Sequence, residues 1–259
     1  MKRRPLLSFF IMTFAITWGL AALYFIFPNF FTSLLGPVSV YNPLFVLAVW
    51  APTVSGFILT AVRSGGRGVV ALLRRFLPGR ASVCWYVVTV LLVPVAGTLI
   101  VLAARGPIPL LSATTASLLS FLFINLVTGP LGEEFGWRGF ALPRLLERFQ
   151  PLLAAVMLGA IWGAWHLPSF MMAGTPQSGM QLPFFLLSAL CLSVIITWVF
   201  IHVRQSIFFG FLFHYMVNFT LNLTGISLVQ LSLLVTAIAV IVVIFSGWDL
   251  GKSKIPRQE

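Results

Sequence analysis

Five stretches of this chain, residues 5–62, 81–104, 106–132, 149–203 and 205–248, contain no Lys, Arg, Asp or Glu. Each is at least as long as the ~20 apolar residues an α-helix needs to cross a bilayer. Charged residues make up 8% of the sequence and hydrophobic ones 59%. A soluble domain carries roughly 25% charged residues, so the chain reads as an all-α polytopic membrane protein. No repeat, low-complexity tract or separate soluble segment interrupts it, and it is treated as a single domain spanning 1–259.

Splitting the uncharged runs at Pro, Gly, Asn and basic residues gives eight candidate helices, at 6–27, 43–62, 84–104, 115–135, 152–171, 182–202, 206–222 and 227–246. With the N-terminus inside, fifteen of the sixteen Lys and Arg fall on inner segments. They are Lys2, Arg3 and Arg4, then Arg63, Arg67, Arg74, Arg75 and Arg80, then Arg138, Arg144 and Arg148, then Arg204, and finally Lys252, Lys254 and Arg257. Only Arg105 is outside, which satisfies the positive-inside rule with one exception. The net charge of +11 therefore flanks spans and does not indicate nucleic acid. The expected setting is a prokaryotic plasma membrane with both termini cytoplasmic. The basic amphipathic stretch at 69–77 is expected to lie on anionic headgroups. Cys84 and Cys191 have no metal-ligand spacing and are expected to be unpaired.

Against this apolar background stands Gly132-Glu133-Glu134-Phe135-Gly136-Trp137-Arg138-Gly139, with two of the five acidic residues of the chain. An ionisable group inside a span is costly to bury, so it faces a cavity, pairs with another group and marks function. On a helix Glu134 and Arg138 stand at i,i+4 and can pair, while Glu133 points about 100° away. One carboxylate is tied and the other is free.

Three polar residues on later helices are candidates to join it: His166, His214 and Asn218. A lone histidine in a membrane helix is more often a packing residue, but His214 and Asn218 at i,i+4 share a face. Glu133 lies 17 residues before Gln150 and His166 lies 16 after it. A hairpin turning there sets both ~25 Å from the turn, and therefore level. His214 is ten residues beyond Arg204, ~15 Å from its own turn. That offset is tolerable if the extension at 141–149, kinked at Pro143, projects into the cytoplasm. The patterns Gly132-x-x-x-Gly136 and Gly159-x-x-x-Gly163 allow the helices bearing Glu133 and His166 to approach closely.

A carboxylate beside a histidine in a partly dehydrated cavity can activate water, and a second histidine with an asparagine amide can donate to the resulting oxyanion. That set fits hydrolysis of a peptide bond. Other routes to intramembrane proteolysis lack their residues: there is no His-Glu-x-x-His, no Gly-x-Ser-x-Gly, and the sole aspartate is Asp249 beyond the last span. Glu133, His166 and His214 can alternatively be read as ligands of a divalent metal such as zinc, and sequence does not choose between metal-held and metal-free water. Two other classes stay open. One is a non-enzymatic membrane scaffold or immunity protein, and the other a proton-coupled transporter, since buried Glu and His also build relays.

Glu133-Glu134-x-x-x-Arg138, Trp162-x-x-x-His166 and His214-x-x-x-Asn218, in that order on successive apolar helices, resemble the CPBP (Abi) family over about residues 115–222. That family comprises CAAX prenyl endopeptidases and bacteriocin-processing or self-immunity membrane proteins. The resemblance implies an eight-helix, glutamate-dependent intramembrane protease, often described as a metalloprotease, acting on a membrane-associated peptide. By motif match Glu133 activates water with His166, His214 and Asn218 stabilise the oxyanion, and Glu134 and Arg138 order the site. The second motif commonly begins with Phe, and Trp162 is a departure that alters the cavity. Prokaryotic members have varied targets, so the CAAX substrate is not transferred. The cavity is expected to open between the fourth and seventh spans.

Overall fold

Prolines place most of the helix starts. The computed structural model describes residues 4–79 and 81–252. In it, Pro occupies the first turn of α1 (Pro5–Ile26), α2 (Pro28–Leu35), α3 (Pro43–Val49) and α4 (Ala51–Arg74). A first-turn proline gives up an N–H that has no intrahelical partner, and its fixed φ suits the helix. After α5 (Val83–Ala103) and α6 (Thr115–Val127), the same device opens α7 (Pro130–Glu134). A π-helical segment, Phe135–Ala141, leads into α8 (Leu142–Leu146), again with proline in its first turn. Proline-led α9 (Pro151–Trp165), α10 (Leu167–Phe170) and α11 (Leu182–His202) follow. The described helices end with α12 (Ile207–Leu223) and α13 (Leu228–Ser246), the latter opened by a Ser227/Gln230 capping box.

Among the described residues, six helical stretches are long and apolar enough to cross a membrane, with Thr115–Leu146 taken as one. Two shorter apolar helices, α9 and α12, complete the eight expected spans. Contacts between connections fix their alternation. On one side the Ile207 N–H donates to the Arg75 carbonyl at 2.8 Å and the Leu152 N–H to the Trp248 carbonyl at 3.0 Å. On the other, Gly174 abuts the Val38 carbonyl and Gly225 the Pro107 carbonyl, each so tightly that a Cβ would collide. Both glycines have positive φ, 91° and 84°. Lys2, Arg3, Arg80, Lys254 and Arg257 of the charge-bias reading lie outside the described residues.

The stretch at 69–77 follows a break at Gly65 (φ 60°, ψ −163°) and is helical to Arg74, with Val70, Leu73 and Leu77 exposed and Leu72 buried with Phe135 and Ile207. Arg75 then donates to the carbonyls of Gly139 at 2.8 Å and Gln205 at 3.2 Å. Burial, with Arg144 nearby, pulls the Arg75 guanidinium down to about 10, which leaves it charged at neutral pH. In the extension after Ala141, Ala141, Leu142 and Leu145 join the core cluster that holds Phe9, Trp137 and Phe140, while residues 147–149 are exposed.

The two Gly-x-x-x-Gly patterns do not face each other. Gly136 meets the backbone of Pro52, and Gly132 meets Val49 and Trp50, so this pair packs on α3 and α4. Gly159 and Gly163 meet Leu190 and Leu186 on α11. Small residues let backbones approach, but which partner approaches is a tertiary outcome. Cys84 and Cys191 are both free.

Candidate active site

The α6–α7 break sets the two carboxylates. α6 stops at Thr128, Gly129 takes a non-helical conformation, and Pro130 restarts the helix. Glu133 and Glu134 therefore sit on the last turn of a short helix, ahead of the wider π turn. Both are buried, Glu133 at 4% and Glu134 at 0% exposure. π segments occur disproportionately at functional sites.

Glu134 is the tied carboxylate. Its Oε1 accepts from Arg138 Nη1 at 2.8 Å, as the i,i+4 spacing predicts, and also from His214 Nδ1 at 2.9 Å. Arg138 is fully buried and lies over the Trp162 ring at 4.8 Å. Its Nε and Nη2, and Glu134 Oε2, have no hydrogen-bond partner. Sequence spacing assigns His214 to neither carboxylate in particular, and the α12 register turns it to Glu134.

Glu133 is held by a neutral group, as Trp162 Nε1 donates to its Oε2 at 2.6 Å. One turn further on, His166 Nδ1 stands 2.9 Å from the Trp162 carbonyl. A carbonyl only accepts, so Nδ1 carries the hydrogen and Nε2 of a neutral His166 is left as a lone-pair acceptor. The ring is edged by Trp165 at 4.6 Å and Phe185 at 5.0 Å between centroids.

Glu133 and His166 line one cleft of about 90 Å³. A water needs ~10–15 Å³ of such space, so the cleft accommodates several waters or a slender chain. Its walls are mostly apolar and come from α1 (Leu20, Ala21, Tyr24), from α3 (Leu44, Phe45, Ala48) and from the segment after α10. The expected opening between the fourth and seventh spans is thus corrected: α11 and α12 contribute no lining residue, and the cleft runs towards the first two spans. Trp165 Nε1 donates to Thr17 at 2.8 Å and Thr17 to the Ala48 carbonyl at 2.8 Å, which pins α1 and α3 to the end of α9. Gln177 also lines the cleft, and its Oε1 is buried without a partner among the described residues. No motif announced Gln177.

Asn218 is one turn beyond His214 on α12. Its Nδ2 lies 3.1 Å from where a Cβ of Gly129 would be, so it stands at the α6–α7 break and not in the cleft. Among the described residues no three His, Cys, Asp or Glu side chains stand together as a metal site. His214 is engaged by Glu134 and Glu133 by an indole.

Residues 115–220 match the model of a family described as type II CAAX prenyl endopeptidase Rce1-like. A protein named CAAX prenyl protease 2, from Methanococcus maripaludis, is 33% identical over 113 residues. That match covers 41% of this chain and 41% of the relative, so the likeness spans less than half of either. The family match runs from the start of α6 to near the end of α12 and takes in all three motifs. Over 115–220 the chain is therefore similar to membrane proteases of this kind, in agreement with the resemblance carried by its three motifs.

Proposed function

We propose that the chain is an intramembrane endopeptidase that hydrolyses a peptide bond of a membrane-associated substrate by glutamate- and histidine-activated water. The observation that carries this reading is the convergence of Glu133 and His166 on one apolar cleft. A water there is held between the Glu133 carboxylate and His166 Nε2. Glu133 takes its proton as the oxygen adds to the scissile carbonyl, and the proton passes to the leaving nitrogen as the C–N bond breaks.

His214 spends its Nδ1 hydrogen on Glu134, so only Nε2 can face the oxyanion. It donates there when that nitrogen carries hydrogen, with the ring held in place by Glu134. The Asn218 amide, at the α6–α7 break, is the second donor of this reading, which needs the scissile carbonyl to reach past Thr128 of the cleft wall towards that break. Arg138 balances Glu134 and keeps that carboxylate out of the reaction. No step is routed through a metal. The CAAX specificity in the names of the family and the relative is not carried over; the apolar walls are suited to a peptide presented from within the bilayer.

The test compares peptides released in membranes holding the wild-type chain, Glu133→Gln and His166→Ala. Both variants should stay inserted and folded, with cleavage reduced by ~10²–10⁴. Undiminished cleavage by either would refute the assignment. Loss of folding in both would instead favour a purely structural role for the motif.

A further inference from the structure

The residue at the centre of the site is one to which no chemical step has been assigned. Trp162 donates Nε1–H to Glu133 Oε2 at 2.6 Å. Its carbonyl fixes the His166 tautomer. Its ring lies under the Arg138 guanidinium and presents an edge to His214 at 5.1 Å. Every ionisable side chain of the reading except Glu134 thus touches this residue, which is 4% exposed.

A glutamate on a helix has three side-chain torsions, and inside an apolar cleft few groups can restrain them. The indole supplies such a restraint. It occupies one carboxylate oxygen, which leaves the other for water, and as a neutral donor it does not make the carboxylate one half of an ion pair. Arg138, by contrast, commits Glu134 outright. We infer that Trp162 is a positioning residue of the hydrolysis: its indole N–H holds Glu133 so that the free oxygen addresses the water beside His166. The inference rests on the reading of Glu133 as the base.

The effect should be partial. Phe is the common occupant of this position in the family the motifs resemble, and it has no N–H, so the donor sharpens the geometry without being indispensable. Misplacing a catalytic group by about 1 Å lowers turnover ~10²-fold.

The decisive variant replaces Trp162 by 3-benzothienylalanine, which has nearly the same shape with sulfur in place of N–H. The expected result is a ~10- to 100-fold lower kcat, KM within about twofold, and unchanged thermal stability. Ultraviolet resonance Raman of the native chain supplies a second readout. The indole hydrogen-bond band of Trp162, assigned by difference against Trp162→Phe, should move to its unbonded position in Glu133→Ala. Wild-type kcat in the benzothienyl variant, or a band that does not move, overturns the inference. If Glu133→Gln is inactive while the benzothienyl variant is fully active, the proposed function stands and only the role of Trp162 falls. If Glu133→Gln is itself active, both fall.

Discussion

Arg138→Met is the substitution that most directly tests how the site is held. Methionine keeps much of the reach of the side chain and removes the guanidinium. Glu134 and Arg138 both have 0% side-chain exposure, and the pair is 2.8 Å apart. Removing the cation leaves a carboxylate in the core with His214 as its remaining partner. Breaking a buried pair from one side costs ~3–5 kcal/mol, because the surviving charge is uncompensated. At about 1.4 kcal/mol per factor of ten, the lower figure already shifts the folding equilibrium more than 100-fold.

The double variant Glu134→Gln/Arg138→Met removes both charges, and replacing a buried pair by neutral groups is often neutral or stabilising. The cycle of single and double variants should therefore show a coupling of about 2–3 kcal/mol, read by reversible unfolding in mixed detergent micelles. Cleavage should not recover with stability. A neutral amide in place of the Glu134 carboxylate no longer anchors His214 Nδ1 as an anion does, and losing one oxyanion donor lowers kcat ~10²–10³-fold. A double variant as unstable as the sum of the singles would refute the pairing argument. Recovered activity would refute the supporting role of Glu134.

Gly136→Ala sets a Cβ onto the Pro52 backbone. It should lower stability by about 1–3 kcal/mol through overpacking and reduce cleavage by displacing the adjacent carboxylates. Gly19→Ala, on α1 with nothing within 4 Å, should be neutral or gain up to ~1 kcal/mol of helix propensity in the same unfolding assay; equal losses at both positions would contradict the packing. Since no three His, Cys, Asp or Glu side chains stand together as a metal site among the described residues, extraction with a strong chelator should leave the cleavage rate unchanged. A loss that zinc restores would overturn the metal-free route.

What the sequence revealed and what it hid divide along the range of the interactions. Spans follow from uncharged length, a property of consecutive residues. The Glu134–Arg138 pair follows from helical spacing, and the wider π turn that begins at Phe135 still leaves that contact formed. The level heights of Glu133 and His166 follow from counting outward from Gln150, and both residues do line the same cleft. Hidden were the choices that depend on how whole helices rotate against one another. His214 faces Glu134 and not its neighbour, and the glycine pairs seat on α4 and α11. The cleft is walled by α1 and α3, 80 or more residues from the motifs in sequence. Trp162 was visible as a motif position, but its N–H counts only once α9 places it beside a carboxylate.

That last contact bears on why two adjacent glutamates can serve different ends. A helix turns neighbours about 100° apart, which is enough to give each its own surroundings but not to choose them. Glu134 receives a guanidinium and an imidazole on one oxygen, so its charge is balanced. Glu133 receives only an indole, a donor that orients without neutralising, and it alone of the two lines the cleft. Exchanging the surroundings would exchange the duties. An arginine reaching Glu133 would leave a spent ion pair in the cleft, and an indole on Glu134 would leave His214 facing a carboxylate no cation balances. The division of labour therefore lies in the two donors, Arg138 from the same helical stretch and Trp162 from the next helix, rather than in the carboxylates themselves.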